Sequence, residues 1–309
     1  MQVQGVIDSA VKEVGRILLG KEPQIRLALC CLFARGHLLL EDLPGMGKTT
    51  LSHALASVLG LSWNRVQFTS DLMPADILGV SIFDAGQSSF TFHPGPVFTQ
   101  LLLADEINRT TPRTQSALLE AMAEGQVTVE GETRALPDPF FVIATQNPVH
   151  QSGTYPLPES QLDRFLMRIK LGYPHPAAER EMFARRHSAT QEITNPKQCI
   201  TLEQLEMIRV AVSQVHASDS LLDYLQRLVA YTRQSPAFEV GLSPRGALAL
   251  LDCAKTWAVM QDRGHLVPED LQMVLPAVAG HRVVPSGDYT GDSMALMDLL
   301  QRDVDVIAS

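Results

Sequence analysis

The sequence predicts an α/β fold, in which a parallel sheet flanked by helices is followed by an all-helical second domain. Three largely apolar runs, at 37–40, 97–104 and 140–145, have strand length, and apolar runs are typical of parallel strands covered on both faces. Apolar residues recur at helical spacing after the first two runs, and beyond residue 172 the spacing is helical. A length of 309 residues also favours two domains.

A glycine-containing loop joins the first predicted strand, 37–40, to a helix that begins at Lys48. Gly45 and Gly47 allow backbone angles at which successive N–H groups face phosphate oxygens, and the helix N-terminus adds positive partial charge. We therefore expect Lys48 to contact the β- and γ-phosphates of a nucleotide and the Thr49 hydroxyl to bind Mg²⁺. The residues expected to bind the nucleotide are Pro44, Gly45, Met46, Gly47, Lys48, Thr49, Thr50 and Asp105.

One position departs from the phosphate-loop pattern G-x-x-x-x-G-K-[ST], since Asp42 stands where glycine is usual. This position lies farthest from Lys48 and Thr49, so we expect phosphate binding to be retained. The alternative is a glycine-rich turn that binds nothing, and a second motif further along the chain argues against it.

That second motif is a predicted strand, 97–104, followed directly by two carboxylates. We expect Asp105 to hold Mg²⁺, directly or through water, and Glu106 to act as the general base that orients the attacking water. Two solvated acids in a loop are the alternative, but they leave the end of the apolar run unexplained. A helix is predicted over Gln115–Ala123, with Thr111 and Pro112 at its start.

A third predicted strand, 140–145, ends in Gln146, Asn147 and Pro148. Ligands in open parallel sheets bind at the carboxyl ends of the strands, so Asn147 is a candidate to position water and sense the γ-phosphate. An Asn-Pro pair by itself indicates a turn, and only its place at a third strand end suggests more. The three strand ends together predict an ATPase that uses Mg-ATP.

In the segments that carry these three motifs, and in three further segments at 65–79, 155–165 and 241–246, the chain resembles the MoxR family of AAA+ ATPases, of the helix-2-insert clade. The phosphate loop and the carboxylate pair match the Walker A and Walker B motifs, and 67–79 and 159–165 are more specific than either. The resemblance implies an AAA+ nucleotide-binding domain over 1–172 and an all-helical lid over 173–309. The matching segments are 40–49, 65–79, 104–109, 144–148, 155–165 and 241–246.

The resemblance also implies roles for arginines. Arg164 matches the arginine finger that reaches the γ-phosphate bound in the neighbouring subunit, where a guanidinium offers fixed charged donors. Arg168, expected one turn further on, is the second candidate for this role. Arg245 matches sensor 2, a lid arginine that acts on the phosphates of its own subunit, and Arg109 is a further candidate for action between subunits. Surface salt bridges or solvated charges are the alternative for each.

An insert near 79–98 reads as a β-hairpin, since Val80–Phe83 and Phe90–Phe92 alternate around the polar turn 84–89. The resemblance implies that this insert lies within the second helix and faces the pore or one face of a ring, where it could contact substrate. A purely structural hairpin remains the alternative.

The resemblance implies an oligomeric ATPase, with a homohexamer expected, that acts as a chaperone and remodels, matures or inserts metal into a client protein. Its expected cofactors are ATP and Mg²⁺, and its expected partners are that client and a protein with a von Willebrand factor A domain. Two alternatives remain open: a nucleic-acid-dependent motor ATPase, and the ATPase subunit of a magnesium chelatase. A phosphate-loop kinase would need a second acceptor site.

Net charge and composition narrow the possible classes of function. The net charge of −9 and pI near 5.5 argue against general nucleic-acid binding. No apolar stretch approaches the roughly 18 residues of a membrane span, and Met1–Arg16 lacks a secretory apolar core, so we expect a cytoplasmic protein without membrane insertion. The cysteines lack metal-ligand spacing and are expected to be buried thiols; they are Cys30, Cys31, Cys199 and Cys253.

The predicted domain boundary lies near 171–176, where two prolines interrupt the pattern. Pro244 and Pro268 suit first helical turns, and Asp219 and Ser243 suit N-caps. Residues 15–20 are expected to line the adenine pocket together with the lid. The predicted lid helices are Ala177–His187, Thr201–Val215, Ser220–Gln234, Pro244–Met260 and Pro268–Ala279.

Overall fold

The computed structural model describes residues 3–86, 88–147, 154–187, 196–287 and 293–307. Its strands are β1 (Leu38–Glu41), β2 (Trp63–Gln67), β3 (Gly79–Asp84), β4 (Ser89–Pro94), β5 (Leu101–Asp105), β6 (Gln126–Val129), β7 (Glu132–Ala135), β8 (Phe141–Gln146), β9 (Met167–Ile169), β10 (Phe238–Val240) and β11 (Val284–Pro285). Its helices are α1 (Val3–Ile17), α2 (Glu22–Phe33), α3 (Lys48–Val58), α4 (Pro74–Leu78), α5 (Pro112–Glu124), α6 (Glu159–Leu162), α7 (Pro176–His187), α8 (Leu202–Ser213), α9 (Asp219–Gln234), α10 (Pro244–Met260), α11 (Pro268–Ala279) and α12 (Ser293–Asp303).

A five-stranded parallel sheet, in the order β2-β5-β8-β1-β9, carries the three predicted strand ends. Every residue of β5 and β8 is buried, as expected for strands with helices on both faces. The parallel sheet predicted from the apolar runs is therefore confirmed. The strand predicted over 97–104 begins later, at Leu101, because Phe98 and Thr99 donate their N–H groups within a turn, to the carbonyls of Gly95 and Val97.

Alternate residues of the central strands pack into two separate cores. Leu38 and Leu40 of β1 join the core that contains α1, α2 and α3, whereas Leu39 joins the core that contains α5. This alternation follows from the twofold side-chain period of a strand. The first core continues into α8–α11, so apolar packing does not stop at residue 172, and the division of the chain at that position remains a prediction.

Two antiparallel hairpins flank the sheet. β3 pairs with β4 from Gly79–Pro94 to Asp84–Ser89, which is the hairpin predicted for the insert, whereas the hairpin of β6 and β7 was not predicted. Phe92 of the insert packs edge-on against Phe98, with ring centroids 5.8 Å apart, and the Arg134 guanidinium of β7 lies 3.9 Å from the Phe92 ring centre. The base of the insert is therefore anchored by aromatic and cation–π contacts.

The C-terminal part is helical, as predicted, and α10 and α11 have the predicted bounds. Ser243 caps α10, since its hydroxyl accepts the N–H of Gly246 at 3.0 Å. The cap expected at Asp219 is wrong: Ser218 caps α9 by accepting the N–H of Leu221 at 3.3 Å, and Asp219 is the first helical residue. Helix α12 and the short antiparallel pair of β10 and β11 were not predicted.

The burial of the cysteines and the hydropathy of the helices can be compared with what the sequence predicts. Cys30, Cys31 and Cys253 are buried free thiols, as expected, but Cys199 is only partly buried, because it lies in the extended segment before α8. Burial raises the pKa of Cys31 to about 12. Within the described residues, no cluster of three potential metal ligands occurs, and none of the helices has the length and hydropathy needed to cross a membrane.

Candidate active site

The predicted phosphate loop connects β1 to α3. Gly45 and Gly47 have φ values of 82° and 89°, in the left-handed region that favours glycine. A Cβ at Gly45 would meet nothing within 4 Å, so backbone conformation alone demands glycine there. A Cβ at Gly47 would lie 2.7 Å from Leu18 Cδ1, which places the 15–20 segment against the loop. The loop thus delivers its N–H groups and the α3 N-terminus to one point.

Lys48 is the buried cation of the site. Its side chain donates to the Asp42 carbonyl at 2.6 Å, to Asn147 Oδ1 at 3.0 Å and to the Gln146 carbonyl at 3.5 Å. Burial lowers the pKa of Lys48, and the nearby carboxylates oppose that shift; they belong to Asp105, Asp42 and Glu106. A buried ammonium among these acceptors, at the start of α3, fits the phosphates of a nucleotide.

Thr49 and Thr50 lie in the first turn of α3, where Thr49 is half-buried and Thr50 is exposed. Pro44 and Gly45 are exposed at the tip of the loop, while Met46 packs against the first core. The loop therefore presents an open surface to a ligand.

The two predicted carboxylates lie at the end of β5, Asp105 as its last residue and Glu106 directly after it, and both bond to Thr145 of the neighbouring strand β8. The Thr145 hydroxyl donates to Asp105 Oδ1 at 2.6 Å and accepts the N–H of Glu106 at 2.9 Å. Glu106 has a φ of 57°, a left-handed conformation that is uncommon for residues other than glycine. Thr145 was not predicted as a site residue; the signal for it was a hydroxyl one residue before the end of an otherwise apolar strand.

The Glu106 side chain is held between an amide and a guanidinium. Asn147 donates from Nδ2 to Glu106 Oε1 at 3.1 Å, and Arg109 Nε lies 2.9 Å from Glu106 Oε2. Because Asn147 Oδ1 also accepts from Lys48, this one amide connects the predicted phosphate ligand to the predicted general base. The structure thus brings Lys48, Asp105, Glu106 and Asn147 together.

Arg65 is a neighbour of Asp105 that sequence reasoning missed. It lies on β2, and its Nη2 and Nε atoms donate to Asp105 Oδ2 at 2.6 Å and 3.2 Å. Asp105 therefore has one oxygen bonded to Thr145 and the other bonded to Arg65. A carboxylate with two donors in place is held in one orientation, as is usual for carboxylates that bind a divalent cation. No local signal in the sequence pointed to Arg65, because the partly exposed strand that carries it was not predicted.

The predicted arginine finger and sensor lie on two segments that meet at Asp163. Arg164 follows α6, and its guanidinium donates to the Leu119 carbonyl of α5 at 2.8 Å. Arg245, in the first turn of α10, is 63% exposed in its side chain, and its Nη1 lies 3.8 Å from Asp163 Oδ2. Neither arginine has a contact to Lys48 or Glu106 among those of the described residues.

Arg168 does not lie one helical turn beyond Arg164 as expected, because the chain enters β9 at Met167. Its guanidinium is paired with Glu41 Oε2 at 3.3 Å and donates to the Gly280 carbonyl, at the end of α11, at 2.8 Å. This side chain links the sheet to the helical C-terminal part within one chain.

Arg282, which follows α11, fixes the segment that carries Arg164. Its side chain is 4% exposed and bonds to Asp163 Oδ1 at 2.7 Å and to the carbonyls of Phe165 and Leu166 at 2.7 Å and 3.0 Å. Burial lowers the pKa of Arg282 and the Asp163 carboxylate opposes that shift. The sequence does not distinguish this arginine from surface ones, because its partners lie more than a hundred residues away.

A phosphate loop after β1, an amide after the adjacent strand β8 and two carboxylates at the end of the next strand, β5, define an ATPase of the P-loop class. Residues 37–167 match the "ATPase family associated with various cellular activities (AAA)", and residues 230–299 match the "AAA lid domain".

Comparison with known proteins narrows this class. The protein YeaC of Bacillus subtilis is 44% identical over 93% of this chain and 90% of its own length, and Chaperone MoxR1 of Mycobacterium tuberculosis is 37% identical over 98% and 82%. A crystal structure from Cytophaga hutchinsonii, of a protein proposed to be an ATPase, superposes with a TM-score of 0.89 at 34% identity, over 99% of this chain and 96% of that one. The chain belongs to the MoxR family of AAA+ ATPases.

Proposed function

We propose that this ATPase hydrolyses Mg-ATP in a homohexameric ring and uses the energy to remodel a client protein. The observation that carries the hydrolysis mechanism is the bonded chain from Lys48 through Asn147 to Glu106. It joins the group that would hold the γ-phosphate to the carboxylate that would orient water, at the carboxyl edge of one sheet.

In this mechanism the phosphate loop and Lys48 would bind the phosphates, and the Thr49 hydroxyl and Asp105 would hold Mg²⁺. The metal, when bound, neutralises charge on the phosphate oxygens. Glu106 orients a water molecule for attack on the γ-phosphorus and accepts its proton, while the β–γ bond breaks and ADP leaves. Asn147 holds the Glu106 carboxylate in position for that water.

The proposed ring supplies Arg164 from the neighbouring subunit and Arg245 from the lid of the same subunit. Within one chain, Asp163, the residue before Arg164, contacts both Arg245 and the buried Arg282. A movement of the C-terminal helices would therefore displace the segment that carries Arg164.

The proposed client contact is the outer face of the insert hairpin. Phe83 and Phe90 are 54% and 70% exposed, and their rings lie 5.3 Å apart, while Phe92 anchors the base. Exposed aromatic pairs on an anchored hairpin are typical of interaction sites. Replacing both by serine should abolish protection of a chemically denatured model protein from aggregation and leave basal ATPase activity intact, whereas Thr91→Ser should change neither.

The deciding experiment measures ATP hydrolysis against protein concentration for the unmodified chain, Glu106→Gln and Arg164→Ala. We expect specific activity to rise with concentration as subunits assemble. Both variants should still bind ATP, with turnover reduced by about 10²–10⁴-fold for Glu106→Gln and about 10³-fold or more for Arg164→Ala. Concentration-independent activity with a neutral Arg164→Ala would contradict the shared site and the ring.

The same assay separates the alternative functions. A purified protein with a von Willebrand factor A domain should change the turnover or bind to the ring if the chaperone proposal is right. Stimulation by DNA would instead favour a nucleic-acid-dependent motor. Stimulation only in the presence of a porphyrin-binding partner would favour a chelatase subunit.

A further inference from the structure

Asp42, the residue that departs from the phosphate-loop pattern, uses both of its carboxylate oxygens. Oδ1 accepts the N–H of Leu43 at 2.9 Å, within the loop, and Oδ2 accepts the N–H of Gly172 at 2.6 Å, from a segment 130 residues further along. The carbonyl of the same residue accepts from Lys48 Nζ at 2.6 Å. One residue therefore contacts both the phosphate-binding lysine and the segment between β9 and α7.

Lys21 holds that segment from the other side. Its side chain is buried and donates to the carbonyls of Leu171 and Tyr173, at 2.7 Å and 2.6 Å, on either side of Gly172. Burial lowers the pKa of Lys21, and the negative charge of Asp42 opposes that shift. Lys21 and Asp42 therefore hold the same short segment from two sides, through hydrogen bonds at three successive residues.

The segment 171–173 is thus fixed at three successive residues. Gly172 has a φ of 65°, and a Cβ there would meet nothing within 4 Å, so its conformation and not its size requires glycine. Lys21 also follows Gly20, whose added Cβ would lie 2.7 Å from Ala178 Cβ of α7. The phosphate loop, the end of the 15–20 segment and the start of α7 therefore meet around 171–173, the predicted boundary with the lid.

We propose that Asp42 and Lys21 form a clasp that transmits phosphate binding at Lys48 to the 171–173 segment and so to the lid. When phosphate oxygens bind Lys48, the Lys48 bond to the Asp42 carbonyl is exchanged for bonds to phosphate. The peptide of Asp42 then reorients, and its carboxylate carries Gly172 with it. Asp42 is a positioning residue, and the clasp rests on the proposed nucleotide site but not on assembly into a ring.

The test compares nucleotide binding with the response of the segment. Affinity for a fluorescent ATP analogue is measured by anisotropy, and amide hydrogen exchange of peptides covering 168–176 is measured with and without a non-hydrolysable Mg-ATP analogue. The variants are Asp42→Gly, which restores the usual motif residue, and Lys21→Met. Lys12→Met is the matched control, because it removes the same charge from an exposed position on α1.

In the unmodified chain we expect the analogue to change exchange in 168–176. Asp42→Gly should bind the analogue within about tenfold of the unmodified affinity, yet show no nucleotide-dependent change in this segment. Lys21→Met should show the same loss, and Lys12→Met should behave as the unmodified chain. A purely structural role for Asp42 would instead raise exchange equally with and without the analogue and preserve the difference.

The clasp is overturned if Asp42→Gly retains the nucleotide-dependent change, or if the unmodified chain binds the analogue and its segment does not respond. Failure of the unmodified chain to bind the analogue at all would overturn the proposed nucleotide site instead. If circular dichroism shows that Asp42→Gly does not fold, Lys21→Met decides between the outcomes in the same way.

Discussion

The predicted catalytic residues fall into two regions that are held in place differently. One sheet positions Lys48, Asp105, Glu106 and Asn147, whose side chains bond to one another or to Thr145 between them. The C-terminal helices position Arg164 and Arg245, through contacts that converge on Asp163. The first region is built by neighbouring strands and is complete within one chain, whereas the second depends on where the helical part lies.

The largest expected effect is a loss of stability caused by a mutation in the second region, with ATP binding at the first region little changed. Arg282→Met leaves the Asp163 carboxylate without its 2.7 Å partner. Breaking a fully buried ion pair costs about 3–5 kcal/mol, and because the Asp163 side chain is 26% exposed we expect about 3 kcal/mol here. We expect the free energy of unfolding, measured in urea, to fall by about that amount, with ATP affinity little changed in the folded fraction. Arg302→Met, at a side chain 74% exposed, is the control and should cost less than about 1 kcal/mol.

Adding Asp163→Asn to Arg282→Met should recover part of the lost stability, because the unpaired charge is then removed. If ATP affinity falls in parallel with stability, the two regions are not separable as described.

Lys48→Met is a mutation in the first region, and we expect it to affect ATP binding more than stability. It removes the cation of the first region, and charge-assisted hydrogen bonds to phosphate contribute about 1.5–3 kcal/mol each. Affinity for the fluorescent ATP analogue should therefore fall on the order of 100-fold. The free energy of unfolding should change less than in Arg282→Met, because the removal of a buried charge opposes the loss of the Lys48 hydrogen bonds. A variant that still binds the analogue normally would refute the predicted role of Lys48.

Thr145→Val tests the link between the two carboxylates. It leaves a buried oxygen of Asp105 and the N–H of Glu106 without their partner, at about 1–3 kcal/mol for an unsatisfied group. We expect reduced stability together with reduced turnover at saturating ATP. Thr133→Val, on the exposed hairpin strand β7, controls for the loss of a threonine hydroxyl and should leave turnover unchanged.

The last prediction applies only in acid and concerns the residue before β1, at the amino-terminal end of the sheet strands. His37 Nδ1 accepts the N–H of Val142 at 3.0 Å, and burial lowers the pKa of His37 to about 4, from about 6.5. Between these values the unfolded chain binds a proton that the folded chain does not, so stability falls as pH falls from about 6.5 to about 4. Replacing His37 by glutamine should flatten this part of the stability profile, measured by urea unfolding at several pH values.

The control for that measurement is His93→Gln, on the exposed insert strand β4. An unchanged slope in His37→Gln would show that other groups cause the loss of stability in acid.

Apolar runs and regular helical spacing explain which strands and helices could be predicted from the sequence. β1 and β8 are largely apolar, and α10 and α11 have apolar residues at helical spacing. The segments that follow them contain glycine, proline, asparagine or carboxylates. β2 was missed because this edge strand is partly exposed and contains Asn64, Arg65 and Gln67. β9 is three residues long and too short to show a period.

The missed site residues have a different cause. Arg65 and Arg282 acquire their roles from partners 40 and 119 residues away, and local patterns carry no information about such contacts. The residues of the glycine loop and of the strand ends could be predicted because each belongs to a motif of a few consecutive residues. The roles of Arg164 and Arg245 came from family resemblance alone and remain predictions.

The left-handed backbone of Glu106 has a consequence for protein engineering. Glycine adopts a φ of 57° without steric cost and asparagine at little cost, whereas glutamate at this position gives up conformational energy. Variants chosen only for thermal tolerance would therefore accumulate glycine or asparagine here, and each would discard the proposed general base. A library screened by heat alone would enrich for well-folded chains that bind nucleotide and turn it over slowly.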